Sequence, residues 1–477
     1  MKRLSILFAL LLTACMQPSY PGIDYPSGGG NSANDRSIID YIDQRLANEY
    51  YWLDEVEEKY NSFNRNLSWD KYLQSSLSLL KTNTDDGYIA NNGQRLFYSY
   101  IRDIGESTRG AVTGFGIELH YTIVIIDQEQ RYYGFVIENV FNGSPAAEAG
   151  IKRGDVITMI DGAYITPNNY ASRFNSIENN TAKSLKLQLR RQTGDKESYK
   201  ATLSPSTYSE TTVVYNRIVD IEDKRIGYLV YTGFESEYDD EFLAILDRFT
   251  TDGVNEVILD LRCNGGGSVT SAVKLCSALL PSTYEDGVLC TITRHPKNTT
   301  QERTQQFILE NTSNYLQNLT RLTVICSDYS ASASELVIMG LRGLDFQVDL
   351  IGTTTEGKNC GMDVTRRTIG GKTLEYAPIT FMCFNAKGFG DWGYGIAPDI
   401  DLTDKSNKFG IRDSNYPIPR TDWGDEDYDI GLASALAHIT GKSISAIRAM
   451  PLAENALVEP TIELERPTEG IRLYHEE

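Results

Sequence analysis

Two apolar runs constrain this chain more than any other feature. Val257-Ile258-Leu259-Asp260-Leu261 and Leu322-Thr323-Val324-Ile325-Cys326 are almost unbroken by polar residues. A strand that shows one face to water alternates apolar with polar residues, whereas one that is apolar at nearly every position is covered on both faces. Segments of helical period, 241–249 and 269–280, lie beside these runs. Covered strands alternating with helices predict an α/β domain with a largely parallel sheet, over residues 206–450. In such a sheet the loops leaving neighbouring strands meet at one carboxyl edge, where reactive groups collect.

Upstream the pattern is different. Within residues 36–105, Ile38, Ile39, Ile42, Leu46 and Tyr50 follow helical spacing, as do Leu73, Leu77 and Leu80. They predict a helical N-terminal domain that packs and carries no chemistry. Residues 106–205 read as short strands broken by glycine turns. The stretches Gly114-Phe115-Gly116-Ile117-Glu118-Leu119, Gly143-Ser144-Pro145-Ala146 and Gly154-Asp155-Val156-Ile157-Thr158-Met159-Ile160-Asp161-Gly162 together resemble a PDZ domain. That resemblance implies strand addition by a polypeptide's C-terminal tail, with backbone amides near Gly114, Phe115 and Gly116 taking the carboxylate. The plainer reading is a β-domain whose glycine turns bind nothing. Residues 451–477 follow as a C-terminal extension, so the whole is a multidomain α+β and α/β chain.

At the other end, Lys2 and Arg3 precede an apolar run, Leu4 to Leu12, that is too short to span a bilayer. Leu12-Thr13-Ala14-Cys15 resembles the lipobox of bacterial lipoproteins. The resemblance implies a signal peptide over residues 1–14, lipidation of Cys15 and a place in the cell envelope; Met16, where an Asp would signal inner-membrane retention, leans towards the outer membrane. Residues 15–35, rich in Pro, Gly and Ser, read as a flexible tether. The formal net charge of −20 opposes nucleic acid and anionic lipid as partners, so membrane attachment rests on acyl chains alone. Export permits disulfides, but Cys276 and Cys326 sit in apolar runs and read as buried thiols. With no C-x-x-C pair, a zinc ribbon or thioredoxin-type site is disfavoured.

The segment richest in chemistry is Ser327-Asp328-Tyr329-Ser330-Ala331-Ser332-Ala333-Ser334-Glu335, where a covered strand turns into a helix. Ser332 followed three residues on by Glu335 is a capping-box pattern, and caps are commoner than nucleophiles. A nucleophilic serine needs a base. The four histidines, at 120, 295, 438 and 475, offer none at an evident partner position, and no G-x-S-x-G occurs. Lys358, in the loop after the strand ending at Gly352, would reach the same sheet edge. A lysine acts as base only when neutral, and burial favours that form. Gly352 to Lys358 also matches most of a P-loop, but Asn359 stands where Mg²⁺ needs Ser or Thr, and further glycines interrupt any helix. Asp260-Leu261-Arg262-Cys263-Asn264-Gly265-Gly266-Gly267 is a third piece, a glycine turn able to aim N–H groups at an oxyanion.

In this order, the pieces resemble the carboxyl-terminal processing proteases, or tail-specific proteases, over roughly residues 36–440. The family's D-L-R-x-N-x-G-G is similar to Asp260–Gly267, its S-A-S-A-S-E to Ser330–Glu335, and its G-x-G-I-x-P-D to Gly393–Asp399. The resemblance implies a serine endopeptidase without metal or organic cofactor. It implies Ser332 as nucleophile and Lys358 as base, with an oxyanion hole from Gly266 or Gly267 and Ala333. Its partners would be polypeptides held by their C-terminal tails. One departure stands out: Met362 occupies the position where many members carry a lysine-orienting Gln. Asn359 or a threonine of 353–355 could substitute. The departure also motivates an alternative, a tail-binding scaffold without activity.

Overall fold

The computed structural model describes residues 33–89, 93–105, 111–192, 197–297, 303–309 and 316–447, together with the strands Glu459–Glu463 and Arg472–His475. Cys15, the leader and most of the tether lie outside the described residues. The first helix, Ala33–Glu49, begins within the last residues assigned to the tether.

The central sheet explains the covered runs. Its strand order is Val213–Ile221, Lys224–Tyr231, Glu256–Asp260, Arg321–Cys326, Gln347–Gly352 and Ile400–Asp401. The first pair is antiparallel and every later pair parallel. Successive side chains on a strand point to opposite faces. Val257 and Leu259 accordingly enter one core, with Val324, Leu350 and the helices Asp239–Thr251, Val269–Leu279 and Ala333–Gly343. Ile258, Ile325 and Ile351 enter a second core, under the helix Ile430–Thr440. Cys276 and Cys326 are buried thiols in the first core, and no disulfide links the described cysteines.

The two faces are tied together by charge. Arg262 donates through Nε to both oxygens of Asp260 at 3.0 Å and through Nη1 to Asp429 Oδ1 at 2.9 Å. Asp429 in turn accepts the Gly431 and Leu432 N–H groups and so caps the helix Ile430–Thr440. Burial alone would raise the Asp429 carboxyl; the Arg262 guanidinium holds it below its usual range. The Asp and Arg of the D-L-R stretch are thus buried girders that fix where the strand ends.

The N-terminal segment is less separate than its helical spacing suggests. After the helices Ala33–Glu49, Leu53–Lys59 and Trp69–Leu77 it forms short strands, and Tyr100–Asp103 pairs with Lys372–Ala377 beyond the central sheet. Its core merges with Ala331, Cys360, Met362 and Ile379. The PDZ region folds around its own core. It docks on the loop 418–423: Gln192 Nε2 donates to Pro419 O at 2.9 Å, Arg153 Nη1 to Thr421 O at 3.0 Å, and the Arg153 guanidinium stacks 3.6 Å from the Trp423 ring centroid. A Cβ on Gly154 would lie 2.5 Å from the main chain at Arg420, so that approach needs glycine. Among the described residues, no helix is long and apolar enough to cross a membrane.

Replacing Arg262 with Met would leave Asp260 and Asp429 buried without their common cation. The Arg262→Met protein is expected to lose about 3–5 kcal/mol of stability, measured by urea denaturation, far more than an exposed-charge variant.

Candidate active site

Six residues separate the end of the strand Arg321–Cys326 from the start of the helix Ala333–Gly343. Two of the serines among them, and Ser334 in the first turn of the helix, have their hydroxyls engaged. Ser327 Oγ donates to Arg262 O at 2.6 Å and Ser330 Oγ to Leu261 O at 2.7 Å. Ser334 Oγ donates to Asn264 O at 2.9 Å, and the Ala331 N–H reaches the same carbonyl. These bonds lay the serine turn against the loop 261–264. Ser332 Oγ is different: it is buried and has no hydrogen-bond partner. Its backbone, at φ 63° and ψ −108°, lies in a region that a side chain other than glycine's rarely adopts. A capping serine accepts from the helix with its oxygen and has extended backbone. Ser332 lacks the extended backbone, and although its Oγ stands on the Glu335 N–H side in the capping-box arrangement, it makes no hydrogen bond of ordinary geometry there.

Glu335 supplies the other half of the box, and more. Its Oε2 accepts the Ser332 N–H at 2.7 Å and the Lys358 N–H at 2.8 Å. Its Oε1 accepts the Thr355 hydroxyl at 2.6 Å and the Gly357 N–H at 2.8 Å. The main-chain nitrogens of Ser332 and Lys358 are therefore no further apart than these two bonds laid end to end. Burial pushes the Glu335 carboxyl up from 4.5 to about 7, against the pull of its four donors.

The loop that carries Lys358 is braced from behind. Ile396 N–H donates to Thr355 Oγ1 at 2.7 Å, and a Cβ on Gly395 would lie 2.3 Å from Thr355 O. The G-x-G-I stretch is thus the backing of this loop. Lys358 is 1% exposed, with its Nζ 4.7 Å from the centroid of the Tyr98 ring. Tyr98 belongs to the N-terminal segment, which was expected only to pack and instead walls the lysine. Tyr98 also donates to Glu356 Oε1 at 3.3 Å. Met362 lies in the hydrophobic core beside Cys360. Thr355 turns to Glu335, and the Asn359 amide to Gly390 O.

The two candidate oxyanion glycines separate on geometry. The Gly266 N–H is engaged with Asn264 Oδ1 at 2.9 Å. Gly266 O and Ser268 N both pair with Phe234, so the Gly267 N–H, between them on the strand, points to the opposite edge. A Cβ on Gly267 would lie 2.2 Å from Phe234 O, which makes glycine obligatory there. Ala333 opens its helix, so its N–H has no carbonyl partner within that helix.

In the PDZ region, Gly114 closes the strand Ala111–Gly114 and Phe115 is buried. The Phe115 N–H already donates to Asn180 Oδ1 at 3.0 Å, and the Leu119 N–H to Glu178 Oε1 at 2.8 Å. Burial raises the half-buried Glu178 to about 7. Gly116, at φ 72°, faces Ser144 so closely that a Cβ would lie 2.0 Å from its side chain. Of the three amides expected to take a carboxylate, that of Phe115 is thus closed by the Asn180 side chain. Between this region and the catalytic loops lies a cavity of about 410 Å³, lined by Glu118, Glu138, Glu178, Glu210, His120 and Gly266 among others.

Residues 225–402 match Peptidase family S41, and residues 136–191 match the PDZ domain. Residues 225–402 thus carry the match to peptidase family S41, behind a PDZ domain. The chain is 22% identical to a "Probable CtpA-like serine protease" of Staphylococcus aureus (strain bovine RF122 / ET3-1), over 79% of this chain and 70% of the relative. The corresponding protein of Staphylococcus haemolyticus is also 22% identical, over 63% and 55% of the two chains. The crystal structure of "Putative S41 protease from Bacteroides fragilis NCTC 9343" shares the fold at a TM-score of 0.67 and 22% identity, covering 88% of this chain and 99% of that one.

His438 Nε2 pairs with Asp349 Oδ2 at 2.8 Å and its Nδ1 with Lys408. His120 packs against the serine turn, its ring centroid 5.1 Å from that of Tyr329. Sequence reasoning missed Tyr98, since nothing local distinguishes it from its neighbouring aromatics. It also took Glu335 as a cap only, although the S-x-x-E spacing already flagged the residue.

Glu335→Gln would set an NH₂ group against donors that now meet a carboxylate oxygen. The variant is expected to lose about 3 kcal/mol and most activity, followed by denaturation and casein cleavage. Glu335 holds its proton more tightly folded than unfolded, so its contribution to stability falls as pH rises from 4.5 to about 7. Glu335→Gln should remove that slope. A second expectation concerns the closed amide. Asn180 has φ 50°, so Asn180→Gly keeps the backbone and frees the Phe115 N–H. C-terminal peptides should then bind roughly tenfold tighter by fluorescence anisotropy.

Proposed function

We propose that this chain is an exported S41 endopeptidase that cleaves polypeptides near their C-terminal tails, with Ser332 as nucleophile and Lys358 as general base. One observation carries the reading. Of the serines in Ser330-Ala331-Ser332-Ala333-Ser334, the flanking two give their hydroxyls to backbone carbonyls, and Ser332 keeps an unpartnered Oγ on strained backbone.

The steps follow from the geometry. Lys358 is walled from water by Tyr98, and a dry site favours the neutral amine that a base requires. The amine takes the Ser332 proton as Oγ attacks the peptide carbonyl. The Gly267 and Ala333 N–H groups receive the oxyanion, Gly266 being otherwise engaged. The ammonium then returns the proton to the departing amine, and water, deprotonated by the same lysine, releases the acyl group. No step calls on a metal or organic cofactor. Attachment through acyl chains on Cys15, in the outer membrane, completes the proposal, with the PDZ domain gripping the substrate's tail.

Ser332→Ala and Lys358→Ala should each slow cleavage of a tail peptide by roughly 10³-fold or more. Ser330→Ala and Ser334→Ala should keep turnover and lose about 1 kcal/mol of stability each. Full activity in the first pair with a dead Ser330→Ala or Ser334→Ala would refute the assignment. Failure of a serine-directed phosphonate to label Ser332, with tail binding intact, would point to the inactive scaffold.

A further inference from the structure

The sheet beside the candidate site contains a strand from far along the chain. Its order is Gly266–Ser268, Arg472–His475, Cys360–Asp363, Ile379–Asn385, Val288–Arg294 and Arg303–Phe307. The first member holds Gly267, and the third starts two residues after Lys358. Residues 472–475 lie between them and run parallel to both. Gly266 pairs with Arg472, Gly267 with Leu473 and Ser268 with Tyr474; on the other side Met362 pairs with Tyr474 and Asp363 with His475.

This is the edge to which the Gly267 N–H points, because Phe234 occupies the other edge of the strand. The same stretch of chain makes a second strand upstream. Glu459–Glu463 pairs antiparallel with residues 122–125 of the PDZ strand Ile117–Asp127. One segment therefore adds a strand in two places, the PDZ sheet edge and the cleft beside Gly267. Strand addition is carried by main-chain hydrogen bonds, which any extended polypeptide can make. Meanwhile Ser332 is 0% exposed and Lys358 1% exposed, so a substrate carbonyl has no open approach in this arrangement.

We infer that the strands Glu459–Glu463 and Arg472–His475 lie along the substrate's own path, and that the cleft between Gly266–Ser268 and Cys360–Asp363 is the subsite that takes a substrate as an extended strand. This rests on the Ser332/Lys358 reading. The segment acts as a resident competitor: an incoming polypeptide must displace Arg472–His475 before its carbonyl meets Ser332.

The test loosens the strand without touching the cleft. Proline at 473 removes an N–H from a strand paired on both sides. Full-length Leu473→Pro should cleave fluorescein-labelled casein with a kcat/KM about tenfold higher, the equivalent of one or two hydrogen bonds no longer to be displaced. Amides of 266–268 and 360–363 should lose protection from hydrogen exchange. A synthetic peptide of residues 464–477, added in trans, should inhibit the variant competitively. A second form guards against misfolding: a specific protease site placed between residues 450 and 458, cut after purification, should give the same gain once the segment is removed. The inference is overturned if both forms lose activity and the peptide restores it, for then the strand is a permanent part of the sheet. It is equally overturned if rates are unchanged although the amides exchange. If phosphonate labels Ser332 in neither the parent nor the variant, the Ser332 reading fails. The exchange and peptide-binding results then still report whether the segment leaves the cleft.

Discussion

The candidate site depends on one buried carboxylate. Glu335 gathers main-chain N–H groups from two loops that come from different strands, together with the Thr355 hydroxyl. Without it, the serine turn and the lysine loop would be held together mainly by the Glu356 N–H to Ser330 C=O bond. An ionised carboxylate out of water is costly unless its lone pairs are filled, and here each oxygen takes two donors. Burial still raises the proton affinity of Glu335 against the pull of these donors. The fold tolerates that cost at the point where the proposed nucleophile and base would have to be placed to a fraction of an ångström.

Around this clamp, the structure uses close main-chain contacts in place of bulk. Gly352 passes so near Cys326 that a Cβ would lie 1.8 Å from its carbonyl oxygen, and Gly357 packs on Gly393 and Gly395. Such contacts leave the lysine loop little freedom to shift, because backbone cannot yield as a flexible side chain can. The motif glycines of Asp260–Gly267 and Gly393–Asp399 therefore serve positioning as much as chemistry.

Much of this was legible beforehand, for identifiable reasons. Val257–Leu261 announced a doubly covered strand because period and composition are local properties. The serine turn and lysine loop were legible because a parallel sheet brings consecutive loops to one edge. Tyr98 was not, because its role arises from a tertiary contact more than two hundred residues away in sequence. The division between Gly266 and Gly267 was also hidden, since it depends on which edge of the strand Phe234 occupies. The strands 459–463 and 472–475 gave no clear signal because each is short and borrows its partners from sheets already built. The closure of Phe115 by Asn180 was likewise invisible, as a single amide does not show in any periodicity.

The docking of the PDZ region on the loop 418–423 has a consequence for where a substrate is cut. Gly154 and Arg420 meet main chain to glycine, and Arg153 lies flat on Trp423. The PDZ region stands at a set span from Ser332, and an extended chain advances about 3.3 Å per residue. Under the proposed function, grip and nucleophile would together form a ruler: the scissile bond would be chosen by its distance from the tail, counted in residues.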